Sequence, residues 1–142
     1  MTTTIANSTP IYAQYPGWVQ GGNAAGIELE FFIDFLCYDS MMNYPEVDAA
    51  LNADSPVAGS TWMDLMSVKV SNFPLDYHMH SWPVAQVLPF LQDKCAEGSY
   101  CLQNEFMAWC FDNQNTVLGM TDVSHDHFVA NEWPQMVSDA FD

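Results

Sequence analysis

Residues 27–34, IELEFFID, decide the fold. Ile27, Leu29, Phe31 and Ile33 alternate with Glu28, Glu30 and Asp34, the period of two that puts apolar side chains on one face of a strand and carboxylates on the other. Upstream, Gly21, Gly22 and Gly26 mark a loop or hairpin connection, and Pro16-Gly17 is a turn signal that stops a short strand over 11–15. Residues 1–10 are a polar, Thr-rich lead expected to fray. Downstream, Pro45 is placed to open a short helix running to Leu51, with Glu46 and Asp48 in the first turn, where the helix dipole favours acids. The stretch ADSPVAGS (53–60) punctuates the chain, and Met66, Val68 and Val70 alternate as a third strand with Lys69 on its other face.

From Ser81, read as an N-cap, the spacing turns helical. Val84, Val87, Leu88 and Leu91 form a stripe kinked at Pro89, and Gly98 ends it. Ser99 is read as capping a second helix, with Leu102, Phe106, Trp109 and Cys110 on one face, and Pro134 opens a third. The expected fold is α+β: after a flexible lead (1–10), a small antiparallel sheet with a helix (11–80), then a mainly helical unit (81–142), elongated and acidic.

Charge is the anomaly. Of 142 residues, Asp and Glu supply 18, an ordinary share, but Lys and Arg only 2, so the net charge of −16 comes from missing cations. Aromatic content of 14% and apolar content of 49% argue for a folded chain with a real core. Nucleic acid and anionic membrane need Lys and Arg and are excluded as partners; a basic protein surface fits. The competing explanation of the charge is adaptation to an acid environment. No signal peptide or membrane span is visible, which points to the cytoplasm. In that compartment Cys37, Cys95, Cys101 and Cys110 default to free thiols, although Cys95 and Cys101 are spaced to bridge if oxidised.

Two constellations could carry function. All four histidines sit in HxH pairs, His78/His80 and His125/His127, and on a strand each pair would turn both imidazoles toward one metal, with Asp76 or Asp126 adding an oxygen. Both pairs, however, fall in segments read as loops. Nucleophile elbows, phosphate-cradling loops and an arginine clamp are all missing, so no enzyme and no cofactor are expected. The stronger signal is carboxylate spacing. Asp93 and Glu97 lie four apart, about 6 Å along a helix axis, and Glu105 and Asp112 seven apart at nearly the same angle. A duplex advances about 3.4 Å per phosphate on each strand. Trp18 and Trp133, beside turn signals, are the aromatic residues expected to be exposed contacts.

The stretch IYAQYPGWVQGGNAAGIELEF (11–31) resembles the N-terminal signature of the ArdA family of antirestriction proteins, through Ile11, Tyr12, Tyr15, Trp18, Gly21, Gly26 and the Glu28–Glu30 strand. VSNFPLDYHMHSWPVAQVLPFL, NEFMAWCFDN and DHFVANEWPQMVSDAFD resemble later elements of that family. The resemblance implies a phage- or mobile-element-encoded mimic of B-form DNA that occupies the DNA groove of type I restriction-modification enzymes in the host cytoplasm. Family members are usually longer and use a third unit to dimerise, so a homodimer is left open here. The phosphate stand-ins would be Glu28, Glu30, Asp34, Asp93, Glu97, Glu105 and Asp112. An anti-CRISPR protein or a nuclease-immunity protein could use the same surface. A metal-binding protein or metalloenzyme built on His78, His80, His125 and His127 is the rival from another class.

Overall fold

The computed structural model describes residues 16–21, 26–99 and 101–141. The strand expected over 11–15 lies outside them. Three strands form one sheet in the order β1 (Gly17–Gln20), β3 (Met66–Asn72), β2 (Ile27–Ile33). Between β2 and β3 the chain makes α1 (Tyr38–Leu51) and a single-turn α2 (Trp62–Leu65). After the sheet come α3 (Ser81–Ala85), α4 (Val87–Ala96), α5 (Gln103–Leu118), α6 (His125–His127), a wide π turn over Phe128–Glu132, and α7 (Trp133–Phe141). The architecture is α+β, a small sheet followed by helices.

The sheet is mixed, which corrects the antiparallel expectation. β1 runs antiparallel to β3, with Trp18 opposite Val70, whereas β2 runs parallel to it from Ile27↔Met66 to Ile33↔Asn72. The reason is the connection. A chain that leaves β2 through two helices re-enters the sheet in its original direction, as parallel pairing requires. β3 is therefore the central strand, and Val68 and Val70 are fully buried.

The core runs through both halves of the chain. Ile33, Phe35, Leu36 and Val70 pack in one cluster with Val84, Leu88, Phe106, Phe128 and Trp133. Phe35 meets Phe106 edge-on at 5.7 Å, and Phe128 stacks on Trp133 at 5.7 Å, both within the range where aromatic pairs add to burial. Trp133 is thus a core residue and no surface contact, while Trp18 is half-buried, tilted against Phe35.

Helix starts differ from the local signals. α1 begins seven residues before Pro45, which sits inside it on the exposed side. The turn at Asp34 and Cys37 starts the helix early, with Cys37 N–H bonded to Asp34 C=O and Met41 N–H to Cys37 C=O. Burial of Tyr44 and Leu51 then holds both halves of α1 against a proline cost of about 3 kcal/mol. Ser81 lies within α3 and does not cap it, because its hydroxyl donates to Asp34. The chain breaks at Gln86, three residues before Pro89, whose ring excludes the Ala85 carbonyl from the helical ladder. Gly98 ends α4 as expected, in the left-handed region (φ +75°). Ser99 does not cap α5, which starts at Gln103; a disulfide between Cys95 and Cys101 joins α4 to α5 across that turn. The free-thiol default holds for Cys37 and Cys110 only.

Candidate functional site

A polyanionic site is defined by which carboxylates reach solvent and which are already answered by a cation. Glu28 on β2, Asp93 on α4, and Glu105 and Asp112 on α5 are exposed, with no cationic partner among the described residues. Glu105 and Asp112 are seven apart in one unbroken helix, hence on the same side and about 10.5 Å apart along its axis. Glu30 and Glu97 are exposed but engaged. Lys69 Nζ lies 2.8 Å from Glu30 Oε1, in register across the β2–β3 pair, and Lys94 Nζ lies 2.8 Å from Glu97 Oε2. The hydrogen bonds from Lys69 and then Ser71 hold the Glu30 carboxyl below the usual carboxylate range.

Asp34 is a correction: it cannot imitate a phosphate, because it is 2% exposed. Oδ1 accepts from Leu36 N–H (2.8 Å) and from the Ser81 hydroxyl, and Oδ2 from Leu75 N–H (2.9 Å) and faces His78 Nδ1 (2.8 Å). This carboxylate ties the ends of two parallel strands to the loop before α3. Every other Asp and Glu among the described residues is at least partly exposed.

The imidazoles do not converge. His78 is held by Asp34, while His80 is buried, stacked on Phe128 at 4.0 Å, with Nε2 3.3 Å from the Met120 carbonyl. Burial pushes the His80 pKa down, the Met120 hydrogen bond opposes this, and nearby His125 adds to it. His127 faces Glu132 at 3.1 Å on the solvent side. Neither HxH pair lies on a strand, so the i, i+2 alignment that would aim both rings at one ion is lost. Among the described residues no group of three or more His, Cys, Asp or Glu is placed to hold a metal. Burial pushes the Cys110 thiol well above its ordinary pKa, which disfavours the thiolate form.

Among the described residues a cleft of about 650 Å³ lies between β1, the C-terminal part of α1 and the disulfide-linked ends of α4 and α5. Its β1 wall is set by a hydrogen-bond relay. Tyr44 Oη donates to Gln20 Oε1 (2.8 Å), and Asn104 Oδ1 accepts from both Gln20 Nε2 (2.5 Å) and Trp18 Nε1 (2.6 Å). No local sequence signal marks this arrangement, since Trp18 and Asn104 are 86 residues apart.

No family model, curated protein or solved structure matches the chain. Function has to be read from the surface itself. No helix among the described residues is long and apolar enough to cross a membrane.

Proposed function

We propose that this protein is a non-enzymatic, polyanionic inhibitor that imitates DNA and occupies the basic DNA-binding groove of a host defence protein. One observation carries the reading: both lysines of the chain are bound to neighbouring carboxylates, so the described acidic surface offers a basic groove no lysine free to repel it. An unpaired anionic surface costs stability through self-repulsion, and steering toward a cationic cleft is a use that offsets the cost. The resemblance of residues 11–31 to the ArdA signature supports type I restriction-modification enzymes as the first target class, in the cytoplasm of a phage-infected or element-bearing cell. The nuclease of a CRISPR system and a cationic nuclease toxin are the next targets.

The phosphate stand-ins are Glu28, Asp93, Glu105 and Asp112, with Glu30 and Glu97 contributing once a partner's cations displace Lys69 and Lys94. The test is displacement of labelled duplex DNA from a type I restriction-modification complex, and in parallel from a CRISPR nuclease. Displacement near stoichiometric protein, weakened as salt rises, is expected. The combined variant Glu28→Gln, Asp93→Asn, Glu105→Gln and Asp112→Asn should lose displacement with an unchanged circular dichroism spectrum. Full activity in that variant would refute the assignment of these residues, and no displacement from either complex would refute the mimicry.

A further inference from the structure

We propose that the cleft beside β1 is a receptor for one arginine side chain of the basic partner. The inference deepens the inhibitor reading and rests on it for the identity of the partner. The relay from Tyr44 through Gln20 to Asn104 assigns the amide orientations: Gln20 and Asn104 spend their oxygens on donors within the fold. What these two amides keep is N–H, so the acceptors of the cleft come from its other lining residues, Asp48, Asn52 and Gln103. Among the described residues Asp48 is the one ionisable side chain lining the cleft, and it is half-buried. Asn52 and Gln103 each donate their amide N–H to a backbone carbonyl, of Asp48 and Leu91 respectively, leaving Oδ1 and Oε1 with no donor among the described residues. The last turn of α1 carries no basic residue, so no cation there offsets the negative end of the helix dipole beside Asp48.

A guanidinium has five N–H donors and no acceptor, and it stacks on aromatic rings. It matches the carboxylate of Asp48 and the amide oxygens of Asn52 and Gln103 in a cleft that the Trp18 indole also lines. An anion would meet Asp48 and a chain of net charge −16 with no cation to receive it. An arginine from the partner would direct its guanidinium to Asp48, Asn52 and Gln103, its aliphatic stem lying along Trp18, and so fix the register of an otherwise diffuse electrostatic contact.

The probe is N-acetyl-arginine methylamide, with the neutral isostere N-acetyl-citrulline methylamide as control. Binding is followed by the Trp18 indole N–H resonance, assigned by its loss in Trp18→Phe. The arginine probe should shift that resonance saturably, the citrulline probe should not, and Asp48→Asn should weaken binding at least tenfold. Asp126→Asn, which removes an exposed charge on α6 away from the cleft, should leave it unchanged. Equal binding of the two probes, equal binding by Asp48→Asn, or an equal loss in Asp126→Asn would overturn the cleft. DNA displacement is read separately. A cleft that binds arginine in a protein that displaces no DNA leaves the cleft standing and removes the mimicry, and displacement unaffected by Asp48→Asn in a protein that ignores the probe does the reverse.

Discussion

Replacing Asp34 should unfold part of the protein before it touches any partner. The carboxylate is buried and receives two backbone N–H groups, one hydroxyl and one imidazole. Asp34→Ala leaves those donors in a site closed to water. Hydrogen bonds to a charged group are worth about 1.5–3 kcal/mol each, but they share one desolvation cost, so losing all four together costs less than their sum, about 3–5 kcal/mol. We take ~4 kcal/mol for Asp34→Ala, a large part of the 5–15 kcal/mol by which a domain is ordinarily stable. Asp34→Asn keeps one acceptor oxygen and turns an amide N–H₂ toward donors on the other side, so it should cost less, about 2–3 kcal/mol. His78 couples to the site, and the double-mutant cycle of Asp34→Ala with His78→Ala should return an interaction energy of about 1–3 kcal/mol. The assay is urea unfolding followed at 222 nm, with DNA displacement measured on the fraction that remains folded. A loss below ~1 kcal/mol for Asp34→Ala, or lost displacement with unchanged stability, would refute the structural role and restore Asp34 as a surface mimic.

Two further outcomes follow from the core and the disulfide. Reduction, or Cys95→Ser with Cys101→Ser, opens a loop of six residues' separation and should cost about 2 kcal/mol by the chain-entropy relation; thermal unfolding with and without reductant checks it. His80 is buried with its pKa held down, so the unfolded chain takes up this proton more readily than the folded one. Its contribution is therefore lost as pH falls below the ordinary histidine value of about 6.5. His125 and the Met120 carbonyl face it, together with the Phe128 ring, and relief of carboxylate repulsion works in the opposite direction. Subtracting the stability of His80→Leu from that of the wild type at each pH between 7 and 5 isolates the imidazole, and the difference should shrink toward the acid end. A difference independent of pH would refute it.

What the sequence revealed and what it hid have separate physical causes. β2 and β3 were legible because alternation is a property of the strand itself: Ile27–Ile33 and Met66–Asn72 lie where the period of two places them. The same alternation misassigned Asp34. It shares parity with Glu28 and Glu30, but the strand ends at Ile33, and one residue past the end the side chain answers to the turn. Pro45 misled similarly. A proline is well suited to the first helical position, yet it is tolerated mid-helix when packing on both sides outweighs one missing hydrogen bond, and that packing is tertiary. The Trp18–Gln20–Asn104 relay and the buried ring of Trp133 depend on contacts across the whole chain, which no window of sequence contains.

The charge needed no structure to be noticed, but its meaning changes with the placement of the cations. Had Lys69 and Lys94 extended freely into solvent, each would add a free positive charge to the surface and give an approaching basic groove a point of repulsion. Instead Lys69 is locked across the sheet to Glu30, and Lys94 one helical turn back from Glu97. Such exposed pairs contribute little to stability, because solvent and salt screen them. Their larger effect is on the shape of the field, because each folds a positive charge onto a carboxylate and leaves Glu28, Asp93, Glu105 and Asp112 unanswered. A surface under selection for stability alone would gain by placing a cation beside each of those four. Under the inhibitor reading proposed above, the lysines and arginines of the bound partner would supply those cations.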